Sequence, residues 1–215
     1  MKDIAIYGAG GLGREVACLI GKINKEYDEQ KWRIIGFFDD SKPIGTTISD
    51  YGDVLGGMEE LNNWRSPIDI AVTIGSPKVL KNISESLTNP LIEFPNIISP
   101  STFFYAKESV RMGKGNIIAP QSVISCNVTM GDFNILNVFT QIGHDAVLGN
   151  CNILMPSVNI SGSVTMGDAN MFGVKSTVIQ SIKIGSGITL TPGSVLMRKA
   201  KDGKMYLGNP AKIFM

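Results

Sequence analysis

A six-residue repeat runs through the second half of the chain and constrains its fold more than any other feature. Every sixth residue from Met112 to Leu196 is apolar, fifteen times in succession and without an insertion. In a chain with 43% apolar residues, such a fixed register has a chance probability of about three in a million. A β-sandwich of alternating strands would not keep a strict period of six over this distance.

The neighbours of these apolar residues follow the same period. Small, branched or amide residues stand two positions before many of them, and glycine frequently follows directly after. One bulky and one compact inward residue in every six fits a narrow prism whose walls are short parallel strands. A glycine beside each wall suits a tight corner. With three strands per turn, the fifteen hexads predict five coils.

The first part of the chain has the pattern of a small parallel α/β sheet. The apolar run 4–7 leads into a glycine-rich turn at 8–13, and apolar residues then recur at helical spacing as far as Ile23. Apolar runs at 34–38 and 68–74 complete a Rossmann-like, doubly wound pattern. Prolines at 90, 95 and 100 indicate a linker. We therefore predict a Rossmann-like domain over 1–95 and a β-helix domain over 96–215.

Charge and composition exclude several classes of function. The net charge of +1 argues against a general electrostatic footprint for nucleic acid or an anionic membrane. No stretch approaches the roughly 20 apolar residues of a membrane span. Three cysteines without CxxC spacing indicate neither a disulfide framework nor a zinc site, so we expect a protein of the reducing cytoplasm. The one histidine, His144, excludes a metal site built from several imidazoles.

The chain resembles a known family along nearly its whole length. The resemblance is carried by segments in a fixed order, which are GAGGLGRE (8–15), FDD (38–40), VLGG (54–57), ISPS (98–101), IGHD (142–145) and GNPAK (208–212). With the hexads, they resemble the sialic acid O-acetyltransferase-like family of hexapeptide-repeat acyltransferases, which includes nucleotide-sugar amine N-acetyltransferases. The resemblance implies a left-handed parallel β-helix, although parallel crossovers are in general right-handed. One departure is Ser99, where relatives usually carry a histidine, and we expect that position to be structural.

His144 is the residue that carries the predicted chemistry. It follows the inward-facing Ile142 by two positions, so it is expected at a corner and facing outward. Asp145 beside it can accept the Nδ1 proton, which fixes the tautomer and raises the basicity of the ring. A lone histidine is by default a polar surface residue. The family's general base falls at this position, however, so the resemblance implies direct acetyl transfer with His144 as the base.

The resemblance assigns further roles by position. Gly162 lies eighteen residues, one full coil, after His144, and its N–H is expected to contact the thioester of acetyl-CoA. Asn137 matches a polar residue that lines the acceptor site. Acetyl-CoA is expected in a groove between the subunits of a homotrimer, with its pantetheine arm against Ile153, Val174 and Pro192. Each of these residues also suits a purely structural role, and no metal is expected.

The glycine-rich turn allows two interpretations. GAGGLG fits the G-x-G-x-x-G pattern that holds a dinucleotide at a helix N-terminus, with Asp39 or Asp40 on a ribose hydroxyl. Barely ninety residues do not easily supply both halves of such a site. The resemblance implies instead that the domain holds the nucleotide of a nucleotide-linked sugar. The matching contacts are Gly10, Gly11, Leu12, Asp39, Asp40 and Gly75.

The predicted function is therefore acetyl-CoA-dependent N-acetylation of a nucleotide-linked amino sugar for surface glycan biosynthesis, in the cytoplasm. An O-acetyltransferase for sialic acid or a related sugar would use the same base, and the sequence does not separate the two. A non-catalytic β-helix, serving as a scaffold or nucleotide sensor, is an alternative of another class. A nicotinamide dehydrogenase would instead bind NAD. A γ-type carbonic anhydrase shares the β-helix, but its zinc needs three histidines and this chain has one.

Overall fold

The first ninety residues form the parallel sheet that their apolar runs predict. The computed structural model describes residues 1–26 and 31–214. Its first elements are β1 (Lys2–Tyr7), α1 (Gly11–Glu26), β2 (Trp32–Phe38), β3 (Val54–Gly56), α2 (Met58–Asn62), β4 (Ile68–Val72), α3 (Pro77–Ser86) and β5 (Ile92–Glu93). The strands are all parallel, in the order β3-β2-β1-β4-β5. The sequence pattern does not predict β3 and α2, because both are too short to show a period.

Helix α1 packs on this sheet through the apolar face that its spacing predicts. Val16, Leu19, Ile20 and Ile23 are buried in the core. The helix begins directly after the glycine-rich turn, and a Cβ on Gly13 would overlap the carbonyl of Gly8. Glycine at this position therefore lets the helix approach the end of β1 closely. Of the helices within the described residues, none is long and apolar enough to cross a membrane.

From Ile97 onward the chain winds into a parallel β-helix of two-residue strands. The first wall contains β6 (Ile97–Ile98), β9 (Ile117–Ile118), β12 (Ile135–Leu136), β15 (Ile153–Leu154), β18 (Met171–Phe172) and β21 (Thr189–Leu190). The second wall contains β7 (Phe103–Phe104), β10 (Val123–Ile124), β13 (Gln141–Ile142), β16 (Asn159–Ile160), β19 (Thr177–Val178) and β22 (Val195–Leu196). The third wall contains β8 (Arg111–Met112), β11 (Thr129–Met130), β14 (Val147–Leu148), β17 (Thr165–Met166) and β20 (Lys183–Ile184). Finally, β23 (Met205–Gly208) and β24 (Ala211–Ile213) extend the first wall.

The hexad prediction is confirmed strand by strand. Strands β8 to β22 are the fifteen predicted hexads, and each ends on the predicted inward residue. All of these residues are buried except Met112, which is partly buried in the first coil. The compact residues two positions earlier are also buried; these are Ser122, Val128, Thr140, Ala146, Val158, Val164 and Ser176.

The repeated glycines have a different reason from the tight corner that we predicted. The residues with left-handed backbone stand two positions further on, with φ between 54° and 62°, and none of them is glycine from Gln121 to Ser181. The glycines are needed because the backbones of successive coils pack closely at the glycine positions themselves. A Cβ on Gly149, for example, would lie 2.8 Å from the backbone of Gly167 in the next coil.

The hydrophobic core of the sheet domain extends onto the first wall of the β-helix, whose interior forms a second core. The outward side chains of Ile117, Ile135 and Ile153 on the first wall are buried against the sheet domain, together with Phe133 and Cys151. β5 ends at Glu93 and β6 begins at Ile97, so the predicted linker is reduced to residues 94–96. The first wall is therefore covered, whereas the other walls keep exposed apolar residues such as Val147.

A ladder of buried asparagines connects the coils on the first wall. Asn134, Asn152 and Asn170 each donate from Nδ2 to Oδ1 of the asparagine one coil earlier, over 2.9–3.1 Å. Each backbone N–H donates to the same oxygen. All three side chains are fully buried, so the ladder satisfies polar groups that have no access to water.

Candidate active site

Each junction between two walls is an edge of the prism, and each edge has its own side chains. The edges are named here after one residue and contain equivalent positions of successive coils. The His144 edge, between the second and third walls, contains Cys126, His144, Gly162 and Gln180. The Pro192 edge, between the first and second walls, contains Pro120, Val138, Pro156, Val174 and Pro192. The Asp168 edge, between the third and first walls, contains Lys114, Asp132, Asn150, Asp168 and Ser186.

On the His144 edge, the imidazole and its neighbouring carboxylate form the contact that the sequence predicts. His144 Nδ1 lies 2.7 Å from Asp145 Oδ2, and both side chains are more than half exposed in the single chain. The hydrogen bond with His144, and then that from Asn127, lowers the pKa of Asp145 below its ordinary value. An ionised carboxylate only accepts hydrogen bonds, so Nδ1 carries the proton and Nε2 of the neutral ring is free to act as a base.

Gly162 lies directly beside this free nitrogen. Gly162 is buried, and a Cβ built on it would lie 2.6 Å from His144 Nε2, so a larger residue would displace the ring from this position. Within the described part of the chain, the N–H of Gly162 has no hydrogen-bond acceptor. A base and an unpaired N–H donor are therefore adjacent, which is what acyl transfer through an oxyanion requires.

Asn127 also belongs to this cluster, although sequence reasoning did not single it out. Its Nδ2 donates to Asp145 Oδ1 over 3.0 Å. The signal was present in the sequence, because Asn127 precedes Asp145 by eighteen residues, which is one coil.

The predicted pantetheine contacts do not lie together. Val174 and Pro192 are exposed and occupy adjacent coils on the Pro192 edge. Ile153 is on the first wall, 1% exposed, inside the core that the two domains share. Its side chain offers no surface to a ligand in this chain, because the sheet domain covers the wall on which it stands. The position of Ile153 within the repeat does not show that the sheet domain covers its side chain.

The predicted nucleotide contacts gather at the carboxyl ends of β1, β2 and β4. Gly10, Gly11 and Gly75 are exposed, with open space around the place of a side chain. The strand order reverses between β1 and β4, which is where open α/β sheets bind ligands. The exposed N–H groups at the start of α1 are suited to a phosphate.

Asp39 and Asp40 are held by protein donors at this end of the sheet. Asp39 Oδ2 accepts from the N–H of Ala9 over 2.8 Å, and Oδ1 accepts from the N–H and hydroxyl of Ser41. Partial burial raises the pKa of Asp39, but the hydrogen bonds from Ser41 and Ala9 outweigh it and bring the pKa below its ordinary value. Asp40 accepts from the hydroxyl of Tyr7 and from the N–H of Met58. Burial, followed by the bond to Asp40, raises the pKa of Tyr7.

A mostly apolar cavity of about 310 Å³ lies between α1 and the β-helix. Leu12, a predicted nucleotide contact, lines it on one side, and Asn137, a predicted acceptor contact, lines it on the other. Glu15 and Lys22 add charged groups from α1. The cavity therefore connects the glycine-rich turn to the β-helix, and it exists only because the two domains pack together.

A larger cleft lies elsewhere and is not connected with these residues. It measures about 1230 Å³, lies at the amino ends of the sheet strands near Lys2 and Lys114, and contains none of the predicted site residues. Among residues 1–26 and 31–214, no group of three His, Cys, Asp or Glu side chains is arranged to hold a metal ion.

A family model and several solved structures are similar to this chain. Residues 3–87 match the family model of the PglD N-terminal domain. The acetyltransferase domain of PglB from Neisseria gonorrhoeae FA1090 has a TM-score of 0.88 and 27% identity to the chain, with 100% of both chains covered. A second structure of that domain, in complex with acetyl coenzyme A, has a TM-score of 0.85 at 27% identity and covers 99% of both chains.

A curated relative is GDP-perosamine N-acetyltransferase from Escherichia coli O157:H7, 26% identical over 145 residues. The match spans 67% of this chain and 63% of that protein, which is less than two thirds of the relative's length. Both parts of the predicted fold are confirmed by these likenesses, including the left-handed sense of the β-helix. The chain is thus similar along its whole length to the PglB acetyltransferase domain, with residues 3–87 matching the PglD N-terminal domain in front of a left-handed parallel β-helix.

Proposed function

We propose that this protein is an acetyl-CoA-dependent N-acetyltransferase that acts on the amine of a nucleotide-linked amino sugar. One observation carries the proposal. On the His144 edge, an imidazole oriented by a carboxylate has its free Nε2 beside Gly162, whose backbone N–H has no acceptor among the described residues. A scaffold or nucleotide sensor has no use for this pair. The curated relative is named as an N-acetyltransferase, which favours an amine over a hydroxyl as the acceptor.

The proposed chemistry is direct transfer with His144 as general base. Nε2 takes a proton from the acceptor amine while the amine nitrogen bonds to the thioester carbonyl carbon. The carbonyl oxygen gains negative charge, which the N–H of Gly162 stabilises, and Asp145 stabilises the imidazolium. The C–S bond then breaks, and His144 returns the proton to the CoA sulfur. The products are an amide and a free thiol, so no cysteine or serine nucleophile is needed.

The acceptor is proposed to bind across both domains. The N–H groups at the start of α1 hold the diphosphate, with Gly10, Gly11 and Gly75 leaving room for it. Asp39 and Asp40 keep unused lone pairs for the nucleoside. The cavity beside α1 then directs the sugar from Leu12 towards Asn137. A dehydrogenase is less well supported, because the His144–Asp145 pair on the β-helix suits proton transfer from an acceptor and has no role in hydride transfer.

A homotrimer is part of the proposal, because one prism does not complete the site. His144 and Gly162 lie on one edge, whereas Val174 and Pro192 lie on another. Cyclic packing places the His144 edge of one subunit beside the Pro192 edge of its neighbour, so that one acetyl-CoA contacts both. The exposed apolar side chains of Phe139, Val147 and Ile179 on the uncovered faces support such packing. We also propose a cytoplasmic location and a role in surface glycan biosynthesis.

The function is tested by binding and turnover together. A thermal-shift screen of nucleoside diphosphate sugars, with and without acetyl-CoA, ranks acceptors because a ligand raises the melting temperature of the state that it binds. Release of the CoA thiol is then measured with the best ligand and with GDP-perosamine. Thiol release that depends on an amino sugar supports the proposal. Stabilisation by NAD, or no thiol release with any acceptor, would overturn it.

Oligomeric state needs a separate measurement. Sedimentation equilibrium is expected to give a trimer, and a fully active monomer would contradict the shared site.

A further inference from the structure

Asn127 holds the carboxylate that faces His144. Its Nδ2 donates to Asp145 Oδ1 over 3.0 Å, while the other oxygen of Asp145 lies 2.7 Å from His144 Nδ1. An ionised carboxylate only accepts, so the amide must present its NH₂ group to Asp145. We propose that Asn127 is a positioning residue that acts through Asp145 to aim His144. The proposal rests on the function proposed above.

The backbone of Asn127 is itself bonded to the preceding coil. Its backbone N–H donates to Ser109 Oγ over 2.8 Å, and the Ser109 hydroxyl donates to the carbonyl of Ala106 over 2.8 Å. A chain of hydrogen bonds therefore runs from the backbone of the first coil through Asn127 and Asp145 to the imidazole. Each member stands on the stacked coils, so the orientation of the exposed His144 is coupled to a rigid part of the fold.

The left-handed backbone conformation at position 127 does not by itself require an asparagine. Asn127 has left-handed backbone with φ 56°, but equivalent turn positions elsewhere carry Phe133, Cys151, Ala169 and Lys175. Asparagine is therefore one of many residues that this turn accepts. An exposed hydrogen bond also adds little to stability. What the side chain of Asn127 does add is a second fixed partner for the catalytic carboxylate.

Loss of that partner has a specific consequence. The side chain of Asp145 is 52% exposed, so with one partner its carboxylate is free to rotate and accept from water. His144 Nδ1 then loses its acceptor for part of the time, and the imidazolium that forms in the reaction is stabilised less. The direction of Nε2 towards Gly162 is also held less tightly, which reduces the rate of the chemical step.

Two substitutions and one matched control test the role. Asn127→Gly keeps the left-handed backbone and removes the donor, whereas Asn127→Asp replaces the donor by a negative charge. Ala169→Gly is the control, because Ala169 has φ 54° on the Asp168 edge, away from both proposed ligands, and its N–H also donates to the preceding coil. We measure thermal unfolding, the affinity for acetyl-CoA, and kcat against pH with GDP-perosamine or the best acceptor from the screen.

Asn127→Gly is expected to lower kcat by about tenfold, with unchanged affinity for acetyl-CoA. The midpoint of its pH–rate profile should move to lower pH. With Asn127→Asp the midpoint should move to higher pH by about half a unit or more, because an added negative charge favours the imidazolium. Opposite shifts are not expected from a general loss of structure. In an Asp145→Ala background, Asn127→Gly should change kcat by less than about twofold, because both residues act through one path.

The proposal is overturned if both Asn127 variants match Ala169→Gly in kcat and in the pH midpoint while His144→Ala is inactive. It is also overturned if Asn127→Gly retains its full effect in the Asp145→Ala background. Failure of the proposed function gives a different result, since the wild-type protein would then release no CoA with any acceptor.

Discussion

Asp145 and Asp168 lie on two edges of one prism, and their carboxylates have different partners. Asp168 Oδ1 accepts from the backbone N–H of Asn150, one coil earlier, over 2.7 Å and also from Nδ2 of Asn150 over 3.2 Å. The same backbone bond is repeated along the Asp168 edge, from Lys114 to Asp202. Asp145 instead accepts from the side chains of His144 and Asn127. A polar group that repeats with the coil supports the fold, whereas one that departs from the repeat indicates a functional site.

The largest effect is expected from His144→Ala, on activity alone. Removal of a general base lowers kcat by roughly a hundredfold to ten-thousandfold. Because His144 is mostly exposed, the unfolding midpoint should stay close to that of the wild type. CoA release and thermal unfolding are measured on the same preparation. Near-normal turnover would mean that the only histidine is a corner residue.

The second-largest effect is expected from a substitution in the asparagine ladder, and it should lower stability. Asn152→Ala removes a fully buried side-chain amide and leaves the backbone N–H of Asn170 without its acceptor. Oδ1 of Asn134 still accepts from the backbone N–H of residue 152, and Nδ2 of Asn170 still donates to the carbonyl of Gly167. One unpaired buried N–H costs on the order of 1–3 kcal/mol and each of the two lost side-chain bonds about 0.5–1.5 kcal/mol, so we expect the free energy of unfolding to fall by about 2–4 kcal/mol. Urea unfolding measures the change. A loss below about 1 kcal/mol would show that the ladder adds little beyond packing.

Asp145→Asn should lower kcat less than His144→Ala does, by about tenfold to a hundredfold. The amide still orients the ring but no longer favours the imidazolium, so the pH–rate profile should rise at lower pH and reach a smaller plateau. The pKa of Asp145 is lowered in the folded protein, so its pairing is present above the ordinary carboxyl pKa of 3.8 and is lost only as pH falls through the lower folded value. Identical profiles for both proteins on one acceptor would contradict the pairing.

The smallest effect is expected on the Asp168 edge. Asp168→Ala removes the acceptor for the backbone N–H and the side-chain amide of Asn150 and should lower the free energy of unfolding by about 1 kcal/mol, with kcat unchanged. Asp168→Asn is the matched control, because its amide oxygen can still accept from Asn150. Urea unfolding of both variants separates the hydrogen bond from the charge. A loss of activity in either variant would remove the distinction between the two edges.

Much of the site could be predicted because the period of the repeat assigns a coil position to each residue. His144 and Gly162 stack because they are eighteen residues apart, and Asp145 contacts the ring because it is the next residue. The same arithmetic would have identified Asn127, one coil before Asp145. The position of Ile153 was equally predictable, but its environment was not, because the sheet domain covers the outward face of that wall.

The sequence by itself determined the local geometry of this protein. Apolar residues at a period of six can be buried only if the chain turns at the same period, and the glycine-rich turn between strand and helix follows from residues that are neighbours in the chain. Only the tertiary structure decided which outward faces stay open, where the cavity between α1 and Asn137 forms, and how far the linker shortens. These features depend on packing between residues that are far apart in the chain, and no local period records that packing.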